Sequence, residues 1–282
     1  MAEISADYES FKGVDGLSIF YRQYEADAEK ARVVIAHGLG EHSGRYDNVV
    51  RRLLPRGISI WVPDHRGHGQ SEGPRGHVSS FYHYVDDLHT LVALARDTLP
   101  QGAKIFLLGH SLGGLIALRF AARFPEVIDG LIISSPALGL PKPPSLVSVF
   151  VGRIFSTLWP TLSLPNGLDA SKISHDEETV QAYLNDPLVH TKITARWSTE
   201  FFSAMEVANQ SAPELKTPFL MQLAGDDFLT SAEASKIFFE AVSSADKTLY
   251  VYEDLYHEIY NETGQQREHV LDDLDAWLSR HI

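Results

Sequence analysis

A serine between two glycines, at residues 109–113, is the part of the sequence best suited to chemistry. The segment reads GHSLG, follows the apolar run 105–108 and precedes a helix-like stretch at 112–124. This G-x-S-x-G pattern is typical of a nucleophile elbow, a tight strand-to-helix turn that exposes the serine hydroxyl at the end of a strand. The pattern predicts that Ser111 is the nucleophile of an acyl-transfer reaction.

A serine hydroxyl is a weak nucleophile, so it needs a base, and the base needs an acid to orient it. Where such an elbow is used, the chain order is serine, acid, histidine. The apolar run 219–223 leads into a turn with Asp226 and Asp227. We choose Asp227 as the acid because the D-x-[LV] pattern fits such turns, and we expect Asp226 to shape the turn. His257, after the run 248–252, is the predicted base.

Two loops are predicted to stabilise the negative charge that develops on the substrate oxygen. The apolar run 32–36 ends in HGLG at residues 37–40, where the glycines allow close approach to a substrate carbonyl. We predict that the backbone N–H groups of Leu39 and Leu112 form an oxyanion hole. The alternative for His37 and Gly38 is a plain turn at the end of a strand.

Short apolar runs alternate with helical patterns along most of the chain. This alternation predicts a mostly parallel sheet with helices on both faces. The predicted strands are 17–24, 32–36, 58–62, 105–108, 131–134, 219–223 and 248–252. The clearest helical patterns are at 84–99, 112–124 and 232–242, followed by a closing helix with the apolar stripe Val270, Leu271, Leu274, Trp277 and Leu278.

The alternation stops between residues 136 and 218, where prolines break the chain into short pieces. We therefore predict a core of residues 1–135 and 219–282, with an inserted helical cap at 136–218. The cap's stretch 146–159 is too apolar for an ordinary solvent-facing helix and too short and interrupted to cross a bilayer. Burial against the core and a lid with a hydrophobic face that receives acyl chains are equal alternatives, and this stretch is also a candidate for peripheral membrane contact.

Composition excludes several classes of protein. The 282 residues carry a formal net charge of −13, which argues against a nucleic-acid partner. The absence of cysteine excludes disulfides, thiol catalysis and thiolate metal sites. The N-terminus shows neither a basic start nor an apolar leader segment, so we expect a cytoplasmic protein. The sequence does not fix an oligomeric state.

Longer motifs connect the chain to a known family. Residues 37–46 read HGLGEHSGRY, residues 64–73 read DHRGHGQSEG, and residues 109–114 read GHSLGG. Within the predicted cap, residues 183–188 read YLNDPL. With these motifs, the chain resembles the monoacylglycerol lipase family of α/β-hydrolases almost from end to end.

The resemblance implies an α/β-hydrolase fold and a hydrolase that splits a monoglyceride into fatty acid and glycerol, with no metal or organic cofactor. It implies that Ser111, Asp227 and His257 form the triad. It also implies that Glu41 and Arg45 shape the polar end of the pocket and that Tyr183 contacts the glycerol head. The alternatives are an ion pair that organises the loop for Glu41 and Arg45, and ordinary cap packing for Tyr183.

The same triad serves other esters, so a lysophospholipase or a broad carboxylesterase is the nearest alternative function. A ligand-binding protein that keeps the fold without the chemistry is a third hypothesis, which the presence of all three predicted triad residues disfavours. Acyl-chain length and positional preference are not readable from the sequence.

Overall fold

The computed structural model describes residues 5–282, apart from the side chains of Leu146 and Val149. Residues 1–4 of the predicted core lie outside this part. An eight-stranded sheet runs through the described chain, in the strand order β1-β2-β4-β3-β5-β6-β9-β10. Its strands are β1 (Asp7–Lys12), β2 (Ser18–Tyr24), β3 (Ala31–Ala36), β4 (Ile58–Pro63), β5 (Lys104–His110), β6 (Gly130–Ser134), β9 (Phe219–Ala224) and β10 (Lys247–Tyr252).

All strands of this sheet except β2 run in the same direction, in agreement with the mostly parallel sheet that the alternating pattern predicted. β2 is antiparallel both to β1 and to β4, and every pairing from β4 to β10 is parallel. All seven predicted strands are present. The edge strand β1 was not predicted, because its sequence DYESFK is mostly polar and its residues are largely exposed.

The parallel strands read as continuous apolar runs because each strand is buried on both faces. The helices are α1 (Asp47–Leu53), α2 (Tyr82–Asp97), α3 (Leu112–Arg123), α4 (Leu146–Leu158), α5 (Glu177–Asn185), α6 (Ala195–Gln210), α7 (Ala232–Ala241) and α8 (Gly264–His281). Val34 of β3 packs in one hydrophobic core, together with α2, α3, α6 and α7. Val33 packs in the other hydrophobic core, together with α1 and α8. The predicted stripe of the closing helix is buried in the second core.

The chain between β6 and β9 contains helices α4, α5 and α6 and a short antiparallel ribbon of β7 (Ser163–Pro165) and β8 (Lys192–Thr194). Helix α6 is anchored, since its Trp197 and Phe201 share the first core with α3. Helix α4 differs: Phe150 is 65% exposed and Leu158 79%. These apolar side chains are therefore not buried against the core. In the described chain, no helix combines the length and apolarity needed to cross a membrane.

Candidate active site

Ser111 lies in the turn between β5 and α3, with backbone angles φ 55° and ψ −116°. A positive φ is strained for a residue with a side chain. The turn is possible because both flanking glycines lie against backbone: a Cβ on Gly113 would overlap the carbonyl oxygen of Ala36, and one on Gly109 would overlap that of Gly113. The sequence GHSLG thus forms the strand-to-helix turn expected of an elbow.

The predicted acid and base are in direct contact. The loop after β9 carries Asp227 and the loop after β10 carries His257, and the distance from Asp227 Oδ2 to His257 Nδ1 is 2.7 Å. Asp227 also accepts hydrogen bonds from the backbone N–H groups of Leu229 and Thr230, at 2.8 and 2.9 Å. Asp226 is exposed, and its N–H donates to the carbonyl of Leu255. The acid is therefore held by its own turn and aimed at the histidine.

Electrostatics favours the charged form of both partners. Burial alone would lower the pKa of His257, but the carboxylate of Asp227 outweighs it and the pKa lies above the usual value of 6.5. Burial likewise works to raise the pKa of Asp227, and His257 together with the backbone donors lowers it. This is the arrangement that stabilises an imidazolium while keeping the acid ionised.

Leu39 and Leu112, whose N–H groups are predicted to form the oxyanion hole, line the same cavity as Ser111 and His257. Leu112 is the first residue of α3, so its N–H has no partner within the helix. Leu39 lies in the turn after β3, and across residues 5–282 neither N–H donates to another protein group. Both donors are therefore available to a substrate oxygen.

Buried histidines hold the loop that carries Leu39. The N–H of His65 donates to Nε2 of His37 at 2.9 Å, and the opposite ring nitrogen of His37 contacts the carbonyl of Gly38 at 2.8 Å. Burial lowers the pKa of His37 to about 4, so the ring is neutral. From the chain between β6 and β9, the N–H of His190 donates to the carbonyl of Gly40 at 2.9 Å. The loop is thus held both by His65 and by His190.

Glu41 and Arg45 belong to a buried ionic cluster beside the cavity. Arg45 Nη2 donates to Glu258 at 2.6 Å, and Arg45 Nε lies 3.8 Å from Glu41. Glu41 accepts hydrogen bonds from the N–H of Gly38 and from the hydroxyl of Tyr46. Burial opposes ionisation of Glu41, but Arg45 and neighbouring histidines overcome it and hold its pKa at about 2, whereas burial raises the pKa of Glu258.

The three residues assigned by resemblance occupy different positions. Glu41 and Tyr183 line the cavity, while Arg45 lies behind Tyr183, with its guanidinium carbon 4.6 Å from the centre of the ring. The alternative interpretations were an ion pair between Glu41 and Arg45 and ordinary packing of Tyr183, and the structure contains both. In addition, Glu41 and Tyr183 line the cavity.

The cavity has a volume of about 150 Å³ and a mostly apolar wall away from Glu41. The apolar lining residues from the chain between β6 and β9 include Leu140, Leu168, Ile173, Ile193, Trp197, Phe201 and Phe202. The sequence did not single out these residues, since their pattern resembles ordinary packing. It also missed His110 and Glu258, although each directly adjoins a predicted residue. No group of side chains able to hold a metal ion occurs within residues 5–282.

A mostly parallel sheet with the Ser111 turn after β5, Asp227 after β9 and His257 after β10 is the architecture of an α/β-hydrolase. A solved structure, the monoacylglycerol lipase of Paleococcus ferrophilus, is similar to this chain with a TM-score of 0.85 and 35% identity, covering 94% of this chain and 99% of that one. The predicted fold is confirmed.

Sequence comparison identifies the family. Residues 27–264 match the family model described as serine aminopeptidase, S33. The chain is 37% identical to a monoacylglycerol lipase of Mycolicibacterium smegmatis, over 97% of both proteins. It is also 34% identical to phospholipase YtpA of Bacillus subtilis, over 92% of this chain and 99% of the relative. The chain belongs to the monoacylglycerol lipase family of hydrolases.

The backbone strain at Ser111 generates a stability prediction. A residue in such a conformation costs about 1–3 kcal/mol, while the extra freedom that glycine loses on folding costs about 0.5–1 kcal/mol. We therefore expect Ser111→Gly to have a larger free energy of unfolding than Ser111→Ala, by about 1 kcal/mol, measured by urea denaturation. Both variants lose the hydroxyl, so they differ in the backbone strain and in the conformational freedom of glycine.

The exposed helical residue Ser279 supplies the matched control. There, Ser279→Gly should be less stable than Ser279→Ala by about 1 kcal/mol, because glycine is a poor helix former. If alanine is the more stable replacement at both positions, the turn at Ser111 is not strained.

Proposed function

We propose that this protein hydrolyses the ester bond of monoacylglycerols to a free fatty acid and glycerol. The observation that carries the proposal is the 2.7 Å contact between Asp227 and His257, together with the fact that His257 and Ser111 line the same, mostly apolar cavity. The relatives named monoacylglycerol lipase support this choice of substrate.

In the acylation step, Nε2 of His257 takes the proton of the Ser111 hydroxyl, since Nδ1 is occupied by Asp227. The serine oxygen attacks the ester carbonyl, and the backbone N–H groups of Leu39 and Leu112 stabilise the resulting oxyanion. His257 then protonates the departing glycerol oxygen, which leaves an ester between the acyl group and Ser111. The positive charge on His257 during this step is balanced by Asp227.

Water completes the reaction. His257 deprotonates a water molecule, which attacks the acyl-enzyme, and the same two N–H groups stabilise the second oxyanion. Collapse of this intermediate breaks the bond to Ser111 Oγ, which recovers its proton from His257, and releases the fatty acid. Groups on the protein therefore stabilise every charge that develops: the N–H groups of Leu39 and Leu112 stabilise the oxyanions, and Asp227 stabilises the imidazolium of His257.

The polar end of the cavity suits a glycerol head. Glu41 and Tyr183 face it, and Asn166 lines it with its side-chain Nδ2 buried and without a hydrogen-bond partner in the described chain. A buried donor without a partner is costly, and a substrate hydroxyl supplies the missing acceptor. The apolar wall suits an acyl chain, because each buried CH₂ contributes about 0.8 kcal/mol.

A lysophospholipase is the second candidate, favoured by the similarity to phospholipase YtpA. Its substrate differs in carrying a phosphate in the alcohol portion. Glu41 lines the polar end, and Arg45 helps to hold its pKa at about 2, so this carboxylate is ionised at neutral pH. A phosphate placed beside Glu41 is repelled, although Arg45, 3.8 Å away, reduces this repulsion.

The substrate proposal is tested by fatty acid release from monoolein, lysophosphatidylcholine, diolein and a short-chain nitrophenyl ester. We expect the highest kcat/KM on monoolein, because its head group carries free hydroxyls and no charge. Ser111→Ala should abolish release from all four. Equal or higher rates on lysophosphatidylcholine than on monoolein would identify the protein as a lysophospholipase. Residual turnover by Ser111→Ala would refute the role of Ser111 as the nucleophile.

The acid generates a prediction about pH. His257 is a base only when neutral, so kcat/KM rises as pH increases through its pKa, which lies above 6.5. Asp227→Asn removes the charge that raises this pKa, so the midpoint of the profile should move to lower pH. The maximal kcat should fall about 10⁴-fold, because the ring is no longer held in the productive tautomer.

Asp226→Asn is the control, because Asp226 is the neighbouring aspartate and its side chain is exposed. It should keep the wild-type profile and rate. A large loss in Asp226→Asn together with a small one in Asp227→Asn would exchange the roles of the two aspartates.

We further propose that the protein acts in the cytoplasm and contacts membranes peripherally through α4. Phe150 within this helix is 65% exposed, and Trp159 directly after it is 58% exposed. An exposed apolar helix face is the feature by which a protein reaches lipid substrates at a bilayer surface. The same face is a candidate contact between subunits, so the test must separate the two.

The double variant Phe150→Ser with Phe155→Ser should weaken binding to phosphatidylcholine liposomes at least about tenfold, because two apolar side chains no longer enter the bilayer. The control Ile237→Ser removes a similarly exposed side chain from α7. Cosedimentation with liposomes measures binding, and light scattering measures the oligomeric state. Unchanged liposome binding in the double variant would refute membrane contact through α4.

A further inference from the structure

Helix α3 ends at a second cavity, distinct from the one that Ser111 faces. This second cavity has a volume of about 330 Å³, opens to solvent, and is lined by α2, α3, the end of α6 and the turn that follows α6. Its lining residues are Tyr82, Arg119, Ala122, Arg123, Val207, Gln210, Ser211 and Glu214. Since α3 rises about 1.5 Å per residue, Arg119 lies roughly 12 Å along the helix from Ser111.

Arg119 is the unusual residue of this second cavity. Only 8% of it is exposed, yet within residues 5–282 no carboxylate lies at ion-pair distance from its guanidinium. Its Nη2 donates to the hydroxyl of Tyr82 at 2.7 Å. The neighbouring Arg123 differs, since it pairs with Asp86 at 2.8 Å.

A largely buried guanidinium without a neighbouring carboxylate loses part of its hydration, which disfavours the charge. The ring of Tyr82 compensates in part, with its centre 5.4 Å from the guanidinium carbon of Arg119 and 5.2 Å from that of Arg123. The N–H groups of Arg119 that Tyr82 does not use remain as donors. Their planar fork matches the oxygens of a carboxylate or a phosphate.

We propose that the second cavity binds a small molecule carrying a carboxylate or phosphate group, with Arg119 as the main contact. Arg123 adds a second positive charge at the cavity, and Glu214 is its single acidic lining residue. A volume of about 330 Å³ is sufficient for a small organic anion. The chain as a whole has a net charge of −13, whereas this cavity is lined by two arginines and one acidic residue.

Binding there is expected to influence the active site through two helices. Helix α3 begins at Leu112, whose N–H is a predicted oxyanion donor, and helix α6 carries Phe202 on the substrate cavity and Gln210 on the second cavity. An anion held between α3 and α6 links the cap to the core. This coupling rests on the proposed hydrolysis, whereas the binding itself does not.

Isothermal titration calorimetry with inorganic phosphate and with acetate tests the binding, and both probes lack an acyl chain that could enter the substrate cavity. We expect saturable binding of at least one probe at one site, weakened about tenfold or more by Arg119→Gln, which removes the charge. Binding of phosphate alone identifies a phosphate ligand, and binding of acetate alone a carboxylate ligand. Arg56→Gln, a change at an exposed arginine, should bind as the wild type does.

A second variant keeps the test valid if Arg119→Gln does not fold. Val207→Trp fills the second cavity from a position that is 38% exposed and leaves Arg119 intact, so it should also abolish binding. In the wild type, a saturating probe should change kcat/KM on the nitrophenyl ester, and in Val207→Trp it should not. Absence of saturable binding by both probes, or wild-type affinity in the folded variants, overturns the proposal. Absence of hydrolysis alone would refute only the proposed function, because calorimetry does not depend on it.

Discussion

The close approach of helix α3 to strand β3 is the constraint on which the site depends. The backbone of Gly113 lies so near the carbonyl of Ala36 that no side chain fits there. This contact sets the start of α3 directly at the end of β5, which forces Ser111 into its positive φ. The same contact places the N–H of Leu112 beside the loop that carries Leu39. One steric requirement therefore positions the predicted nucleophile and both predicted oxyanion donors together.

The charged groups around this turn leave His257, the predicted base, as the group that can change its protonation state. Asp227 is satisfied by backbone donors and His257, and Glu41 by Arg45 and Tyr46. Burial keeps the nearby ring of His110 neutral by lowering its pKa to about 3. Among the histidines at the cavity, His257 therefore has the higher affinity for a proton, because a carboxylate contacts it directly.

Much of this arrangement could be predicted from the sequence, because local rules and global packing agree there. The apolar runs of β3 and β5 are buried on both faces, and GHSLG has glycines where backbones must meet. The positions of Asp227 and His257 follow from chain order. Their roles, like those of Leu39 and Leu112, remain predictions, supported by the contacts described.

Other features could not be predicted, because they arise from contacts distant in sequence. Strand β1 is polar on an exposed edge, so its pattern carries no burial signal. The pairing of Arg45 with Glu258 joins residues 213 positions apart. In the cap, α6 and α4 are both rich in apolar residues, yet α6 is packed in the core and α4 is exposed. Composition describes what can be buried, and only the tertiary structure decides which helix reaches the core.

The polar end of the substrate cavity indicates how the protein can discriminate between esters. An apolar wall distinguishes chains by only about 1–3 kcal/mol per methylene, whereas a buried polar group left unpaired by the wrong ligand discriminates far more strongly. Asn166 Nδ2 and Arg45 Nη1 are buried and unpaired in the described chain. Of these, Asn166 lines the cavity, while Arg45 lies behind Tyr183. Selectivity for the head group is therefore expected to depend on hydrogen bonds at this end, while the apolar wall accepts acyl chains of several lengths.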